Sequence, residues 1–318
     1  MGSILVDIIN TVPGYPQLGE LTQISHVQRA VGGCVPNVAI DLKRLSPDLD
    51  VFASGRVADD ENGRYAVSIL EENGVDTGNI VTAGGGNTSF TQVMSVSGGQ
   101  RTFFTYPGAS SDFCAEDVDL DKLRPKLLHL GYFLLLRRID EGDGLKILKS
   151  AAERGIRTSC DLVSENSDRY KTVLPCLPYI DYLIINELEG GRLAGTDPDA
   201  AHAPEMAKKL LRLGVREKVI IHYKEGAVCA DKSGEVTSLA SVPLPKEEIK
   251  GTTGAGDAFC AGALLGIYRG LSDTEILDCG RIAAARALRA EDAVSGVVDL
   301  EEARKIAGGY ESEGQPSL

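Results

Sequence analysis

The run Gly251-Thr-Thr-Gly-Ala-Gly-Asp-Ala-Phe259 places small residues and one carboxylate where an apolar, glycine-spaced helix begins. Gly254, Ala255 and Gly256 carry almost no side chain, so their backbone N–H groups can converge on an anion at the positive end of the helix that follows. Asp257 stands among the first helical residues. A carboxylate beside an anion pocket can accept the proton of a hydroxyl while the pocket holds a phosphoryl group in transfer. Ala258 to Ile267 continue the helix and Gly270 can end it. Taken alone, the run is equally an ordinary tight turn whose acidic residue complements the helix dipole. A second run, Gly32-Gly33-Cys34-Val35-Pro36-Asn37-Val38-Ala39, again sets glycines ahead of a periodic apolar helix, where backbone can approach a ligand closely. In a third, Asn186-Glu-Leu-Glu189 follows the strand-like Tyr182 to Ile185; the spacing of three puts Asn186 and Glu189 on one side of a helical turn. That pair also reads as a helix N-cap with an acidic first turn.

With these runs in this order, the chain resembles the ribokinase-like (PfkB) carbohydrate kinases, whose signatures are Gly-Gly-x-x-x-Asn near the N-terminus and Thr-x-Gly-Ala-Gly-Asp near the C-terminus. Gly2-Ser-Ile-Leu-Val-Asp7 looks like the end of that family's first strand, and the Asn-x-x-Glu element is at 186–189. The resemblance implies transfer of the γ-phosphoryl group of ATP to a sugar hydroxyl. Asp257 would be the base, and the backbone of Gly254, Ala255 and Gly256 the anion hole. Asp7, Gly32, Gly33 and Asn37 would hold the substrate, and Asn186 and Glu189 would help place Mg²⁺. Lys224, Gly226 and Thr253 are assigned to the nucleotide.

Three departures qualify what carries over. Gly251 stands where relatives that use a monovalent cation have aspartate, which speaks against such a cation. The nucleotide loop reads Ile221-His-Tyr-Lys-Glu-Gly226 and lacks its first glycine. The first strand looks short, an expectation that would shift Asp7. Cys34 occupies a position where many relatives carry a phosphate-reaching lysine, which favours an unphosphorylated substrate; Arg101, Arg137, Arg138 and Arg169 are the remaining candidates for a substrate phosphate. Two alternatives stay open: a nucleoside kinase, with Phe90 or Phe104 offering a slot for the base, and a non-catalytic sugar-binding regulatory protein.

Composition bounds the partners. The chain has 318 residues, a formal charge of −13 and 43% hydrophobic residues. It can bury a large core, and its charge disfavours nucleic acid and anionic membrane. The seven cysteines are scattered, with no Cys-x-x-Cys pair, and the four histidines show no metal spacing. No apolar run is long enough for a bilayer, and the expected location is cytoplasmic.

Along the chain strand-like and helical patterns alternate, which predicts an α/β fold with a mostly parallel central sheet covered by helices on both faces. Thr88 to Val96 and Gln100 to Tyr106, joined by Gly98-Gly99, read as an antiparallel hairpin. The resemblance makes this a small β lid of residues 11–30 and 88–106 over a core of 1–10, 31–87 and 107–318. It further suggests a homodimer through the lid. Gly308 to Leu318 reads as a frayed polar tail.

Overall fold

The computed structural model describes residues 1–96, 101–165 and 167–313. In chain order its first elements are β1 (Leu5–Val12), β2 (His26–Gly32), α1 (Cys34–Leu45), β3 (Phe52–Ala58), α2 (Glu61–Glu72), β4 (Asp76–Ala83), β5 (Ser89–Val96) and β6 (Arg101–Tyr106). Next come α3 (Leu120–Leu123), β7 (Leu127–Phe133), α4 (Gly144–Glu153), β8 (Arg157–Leu162), β9 (Tyr182–Asn186), α5 (Glu187–Ala194), α6 (Ala203–Arg212) and β10 (Lys218–Tyr223). The last are β11 (Gly226–Asp231), β12 (Val236–Ala240), α7 (Ala255–Arg269), α8 (Asp273–Ala287) and α9 (Leu300–Glu313).

A six-stranded sheet runs in the order β12-β11-β10-β9-β8-β7. It is parallel from β7 to β10 and antiparallel at β11 and β12. Both faces of its centre are apolar, as parallel strands under helices must be. Leu183, Ile185, Val219 and Ile221 enter one core with Leu148, Met206 and Leu210 of α4 and α6. The alternate residues Tyr182, Ile184 and Ile220 enter a second core with α7 and α8. Eleven consecutive residues of α7, Asp257 to Ile267, are buried. A helix apolar on all sides belongs between layers. Its approach to α8 requires small residues: a Cβ on Gly262 would come within 2.3 Å of the Cys279 carbonyl oxygen.

The strands β3 and β4 pair in parallel. The first residues of the chain tie them to the large sheet: Gly131 N–H of β7 donates to Met1 O (2.9 Å), and Gly2 N–H donates to Ser54 O of β3 (3.1 Å). From there the chain continues as β1 into a separate four-stranded sheet, β2-β1-β5-β6. This four-stranded sheet thus begins at Leu5 and reaches back to Gly32, a wider span than residues 11–30, because β1 is one continuous strand. Eight residues long, β1 is not short, and Asp7 sits inside it. The hairpin arms β5 and β6 pair antiparallel as expected; the Gly98-Gly99 turn lies outside the described residues. The expected C-terminal tail is instead helical to Glu313, because Ala303 and Ala307 pack against Ile282 and Val242; residues 314–318 lie outside the described residues.

Candidate active site

The start of α7 is built to leave backbone donors uncovered. Its N-cap is Gly254, with φ +78° and no capping side chain. A side chain there would be strained and would collide with Ala293, 2.5 Å from its Cβ. The first intrahelical bond runs from Ala258 N–H to Gly254 O (2.8 Å), so the N–H groups of Gly256 and Asp257 precede the helical ladder, and that of Ala255 makes only a long contact to Thr252 O (3.4 Å). Gly256 is exposed, and the nearest atom to a Cβ there would be His222 Cε1 at 3.5 Å.

Asp257 is 7% exposed. Its Oδ2 accepts from Asn37 Nδ2 (2.8 Å) on α1 and from Tyr132 Oη (2.9 Å) at the end of β7. Burial raises its pKa to about 7, and the nearby Asp161 charge adds to this; the Asn37 and Tyr132 hydrogen bonds oppose it. A carboxylate that exchanges its proton near neutrality is matched to general-base work. Asn37 itself is 5% exposed, and its Oδ1 has no hydrogen-bond partner. A buried acceptor without a donor costs about 1–3 kcal/mol unless a ligand supplies one. A sugar hydroxyl, both donor and acceptor, answers Asn37 and Asp257 together.

The glycine pair beside α1 has two separate jobs. Gly32 makes room for Asp7, whose Oδ2 would lie 2.6 Å from a Cβ there. Gly33, φ +89°, is the N-cap of α1 and lies against the Ser3 backbone. Burial raises the Asp7 pKa to about 6, opposed by a hydrogen bond from Thr91. Register then fixes which residues of β5 and β6 share the face of Asp7: Thr91 and Thr105 lie beside it, and Val93 and Phe103 one step on. Phe90 and Phe104 fall on the other face, because side chains alternate along a strand. They do not provide the slot expected of them; Phe103 is the aromatic residue on the side of Asp7.

Beyond Asp257 a cavity of about 280 Å³ is lined by Tyr132, Asp161, Ser164, Asn186, Glu189, His222 and Cys260, together with Gly254 and Gly256. Asn186 and Glu189 form a capping box at the start of α5: Glu189 N–H donates to Asn186 Oδ1 (2.9 Å), and Asn186 N–H to Glu189 Oε2 (3.1 Å). Ser164 and Asn186 also donate to Glu189 Oε1. Glu189 is 4% exposed, and burial raises its pKa to about 8. The two readings of this pair are compatible, since the cap presents oxygen-rich side chains to the cavity. Such a wall suits a hard cation that keeps several of its waters, as magnesium does.

The nucleotide run is placed differently. Lys224 is exposed in the two-residue turn between β10 and β11, and neither it nor Gly226 lines this cavity; His222 does. A Cβ on Gly226 would press on Leu239 O at 2.5 Å, so that glycine serves strand packing. Thr253 accepts from Arg101 Nη1 of the lid (3.0 Å). The other arginines are committed to carboxylates: Arg137 to Asp112, Arg138 to Asp143, Arg169 to Glu165 and Asp140. Cys34 is 1% exposed with its pKa pushed up to about 12 by burial, which rules it out as a nucleophile. It lines a larger, mainly apolar cavity of about 390 Å³ at the other end of the strands, which holds none of the groups around Asp257. Chemistry rather than size therefore makes the smaller cavity the candidate site.

Tyr132, Asp161, Ser164 and His222 were missed by motif reading. Their shared signal is position: Tyr132, Asp161 and His222 lie at or near the carboxyl ends of β7, β8 and β10, where open α/β sheets place ligands.

The sequence pattern described as pfkB family carbohydrate kinase matches residues 1–299. Fructokinase-1 of Oryza sativa subsp. japonica is 29% identical over 273 residues, covering 83% of this chain and 80% of the relative. The 5-dehydro-2-deoxygluconokinase of Geobacillus kaustophilus is 24% identical over 296 residues, covering 86% and 84%. Arabidopsis thaliana ribokinase, solved in complex with ribose and ATP, superposes with a TM-score of 0.80 at 22% identity over 96% of each chain. The fold is thus ribokinase-like.

Proposed function

Because the chain belongs to the pfkB family of carbohydrate kinases, we propose that it transfers the γ-phosphoryl group of ATP to a hydroxyl of a small unphosphorylated sugar or sugar acid. One observation carries this reading: a buried carboxylate with a pKa of about 7, Asp257, stands beside three backbone N–H groups at the mouth of an oxygen-lined cavity. The substrate's other hydroxyls bond to Asp7, Asn37 and the backbone at Gly32 and Gly33. Its reacting hydroxyl takes the place beside Asp257 Oδ2 that Tyr132 now shares. As the sugar oxygen forms its bond to the γ-phosphorus, Asp257 accepts the hydroxyl proton, and the bond to the β-phosphate oxygen breaks with its electron pair leaving on ADP. Gly254, Ala255 and Gly256 stabilise the charge on the phosphoryl oxygens. Asn186 and Glu189 would help hold magnesium, which would supply neutralisation of the phosphate charge. Lys224, Gly226 and Thr253 contribute to the nucleotide side, Gly226 indirectly by setting the β10–β11 turn. We expect no monovalent cation, since Gly251 offers no carboxylate.

The preference for an unphosphorylated substrate is supported by the burial of Cys34 and by the carboxylate partners of Arg137, Arg138 and Arg169. Fructose, ribose and 5-dehydro-2-deoxygluconate, the substrates named in the relatives, head the test set. ADP release with ATP and Mg²⁺ is measured across these, their phosphates and nucleosides. Release dependent on a free sugar supports the reading; release with nucleosides alone, or with none of the panel, contradicts it.

The four-stranded sheet acts as lid and as dimer surface. Its edge strands β2 and β6 are exposed on both faces over most of their length. Asp7's face serves the sugar, and the opposite face, with Val27, Phe104 and Tyr106 exposed, receives a second copy. A monomer mass by light scattering at micromolar concentration would remove the dimer.

A further inference from the structure

Three ligand atoms of different elements converge beneath the floor of the catalytic cavity. His129 Nε2 of β7 lies 3.7 Å from Cys260 Sγ of α7 and 3.5 Å from Asp161 Oδ2 of β8, and all three atoms lie within 4.8 Å of one another. Zinc bonds of about 2.3 Å to sulfur and about 2.0–2.1 Å to nitrogen or oxygen put neighbouring tetrahedral ligands about 3.3–3.6 Å apart. The two separations from His129 need only a slight contraction, and the sulfur–oxygen one, within 4.8 Å, closes by a side-chain adjustment.

The ligands are also held and aimed. His129 Nδ1 lies 2.9 Å from Ser159 Oγ, and that hydroxyl points on to Leu128 O at 3.4 Å. If Ser159 donates to the carbonyl, it accepts from Nδ1–H, which leaves the Nε2 lone pair directed at the thiol and the carboxylate. A metal-binding imidazole is oriented in this manner. Asp161 is anchored through Oδ1 by Tyr132 N–H, freeing Oδ2. Among the described residues no lysine or arginine side chain pairs with Asp161; the neighbouring cation is the ammonium of Met1, which feels the Asp161 charge and donates to His129 O (2.7 Å). The cluster is reachable: Asp161 and Cys260 line the cavity of Asp257, and His129 lines the larger cavity behind it. A second grouping, Cys114, Glu116 and Asp143, differs in that Asp143 is already taken by Arg138 and Lys146.

We propose that His129, Asp161 and Cys260 form a site for a borderline-soft divalent cation of the zinc type, separate from the hard-oxygen magnesium wall at Asn186 and Glu189, with a fourth position open to the cavity. Thiolate and imidazole select zinc or cobalt over magnesium. Cys260 is one helical turn beyond Asp257 on the same cavity, so a cation held there competes with the acceptor hydroxyl for the carboxylate's lone pairs. On the kinase reading, occupancy is inhibitory.

The test uses the full chain, freed of metal by a chelator and titrated with Co²⁺ in the absence of sugar and nucleotide, so that its outcome is independent of the kinase reading. The expected result is one equivalent bound, with a thiolate-to-cobalt charge-transfer band, intense tetrahedral d–d absorption, and bleaching by Zn²⁺. Cys260→Ser abolishes the charge-transfer band, His129→Gln weakens binding about tenfold or more, and Cys114→Ser changes neither. Should Cys260→Ser fail to fold by thermal melt, Asp161→Asn carries the test, since its amide oxygen can still accept from Tyr132 N–H. The absence of a tetrahedral cobalt spectrum in the wild type, or its persistence unchanged in folded Cys260→Ser or Asp161→Asn, overturns the site. Cobalt or zinc binding that leaves sugar-dependent turnover unaltered overturns the inhibitory role alone.

Discussion

At the scale of single residues, the chemistry depends on how Asp257 is held. With a pKa raised to about 7 by burial, it is protonated in acid and becomes a competent base as pH rises. kcat/KM should therefore climb through an acidic limb centred near pH 7. Tyr132 and Asn37 both stabilise the charged form by donating to Oδ2. Removing the phenol leaves that carboxylate with one donor fewer, so Tyr132→Phe should move the limb to higher pH by about half a unit to one unit, each unit being about 1.4 kcal/mol. A pH–rate profile checks this; an unmoved limb, or one displaced toward acid, would show that Tyr132 does not tune the base. Asp257 was legible from its place in a glycine run, since that signal is local. Tyr132 was not: only the meeting of β7 with α7, 125 residues apart, brings its hydroxyl to the carboxylate.

At the scale of elements, β6 and the loop before α7 are joined by the hydrogen bond from Arg101 to Thr253, and on the proposed reading it links lid to anion loop. Arg101→Ala should leave thermal stability within about 0.5 kcal/mol of wild type, as surface changes generally do. It should lower kcat/KM for ATP about tenfold by releasing the lid from the anion loop. Equal kinetics in a mutant with an unchanged melting temperature would show that the contact is incidental. Gly254→Ala tests the loop from the other side. The positive φ costs about 1–2 kcal/mol in any residue with a Cβ, and the collision with Ala293 adds to it. Both activity and melting temperature should fall; a stable, active Gly254→Ala would contradict the tight cradle. Helix starts, the hairpin and the alternation of strands with helices could be read from composition and period. The face on which Phe90 and Phe104 lie could not, since it depends on register with β1. The helical C-terminus escaped for a similar reason: Gly308 and Gly309 look like breakers, yet Ala303 and Ala307 are fixed by packing on α8 and the segment after β12.

At the scale of the whole molecule, the fold tolerates a buried carboxyl group without a partner. Asp41 is fully buried on α1, and neither carboxylate oxygen has a hydrogen-bond partner. Burial, with the Asp257 charge, holds its pKa well above the ordinary carboxylate value. An acid whose folded pKa is raised binds more protons in the native state, so stability falls as pH rises above the unfolded value, by up to about 1.4 kcal/mol per unit. Asp41→Asn should remove that penalty, leaving a protein that melts higher than wild type at pH 8 and little different at pH 5. Melting curves at the two pH values decide it, and a variant less stable at pH 8 would mean that the charge has a partner. The claim that organises the rest is that Asp257 takes the proton from the sugar hydroxyl. The most direct test compares steady-state turnover of the wild type and Asp257→Asn at pH 8, with ATP, Mg²⁺ and the best sugar from the panel, after confirming equal melting temperature and retained sugar binding. The account predicts a loss of about 10²–10⁴-fold in kcat with sugar affinity nearly intact; an Asp257→Asn enzyme that keeps more than about a tenth of wild-type turnover would contradict it.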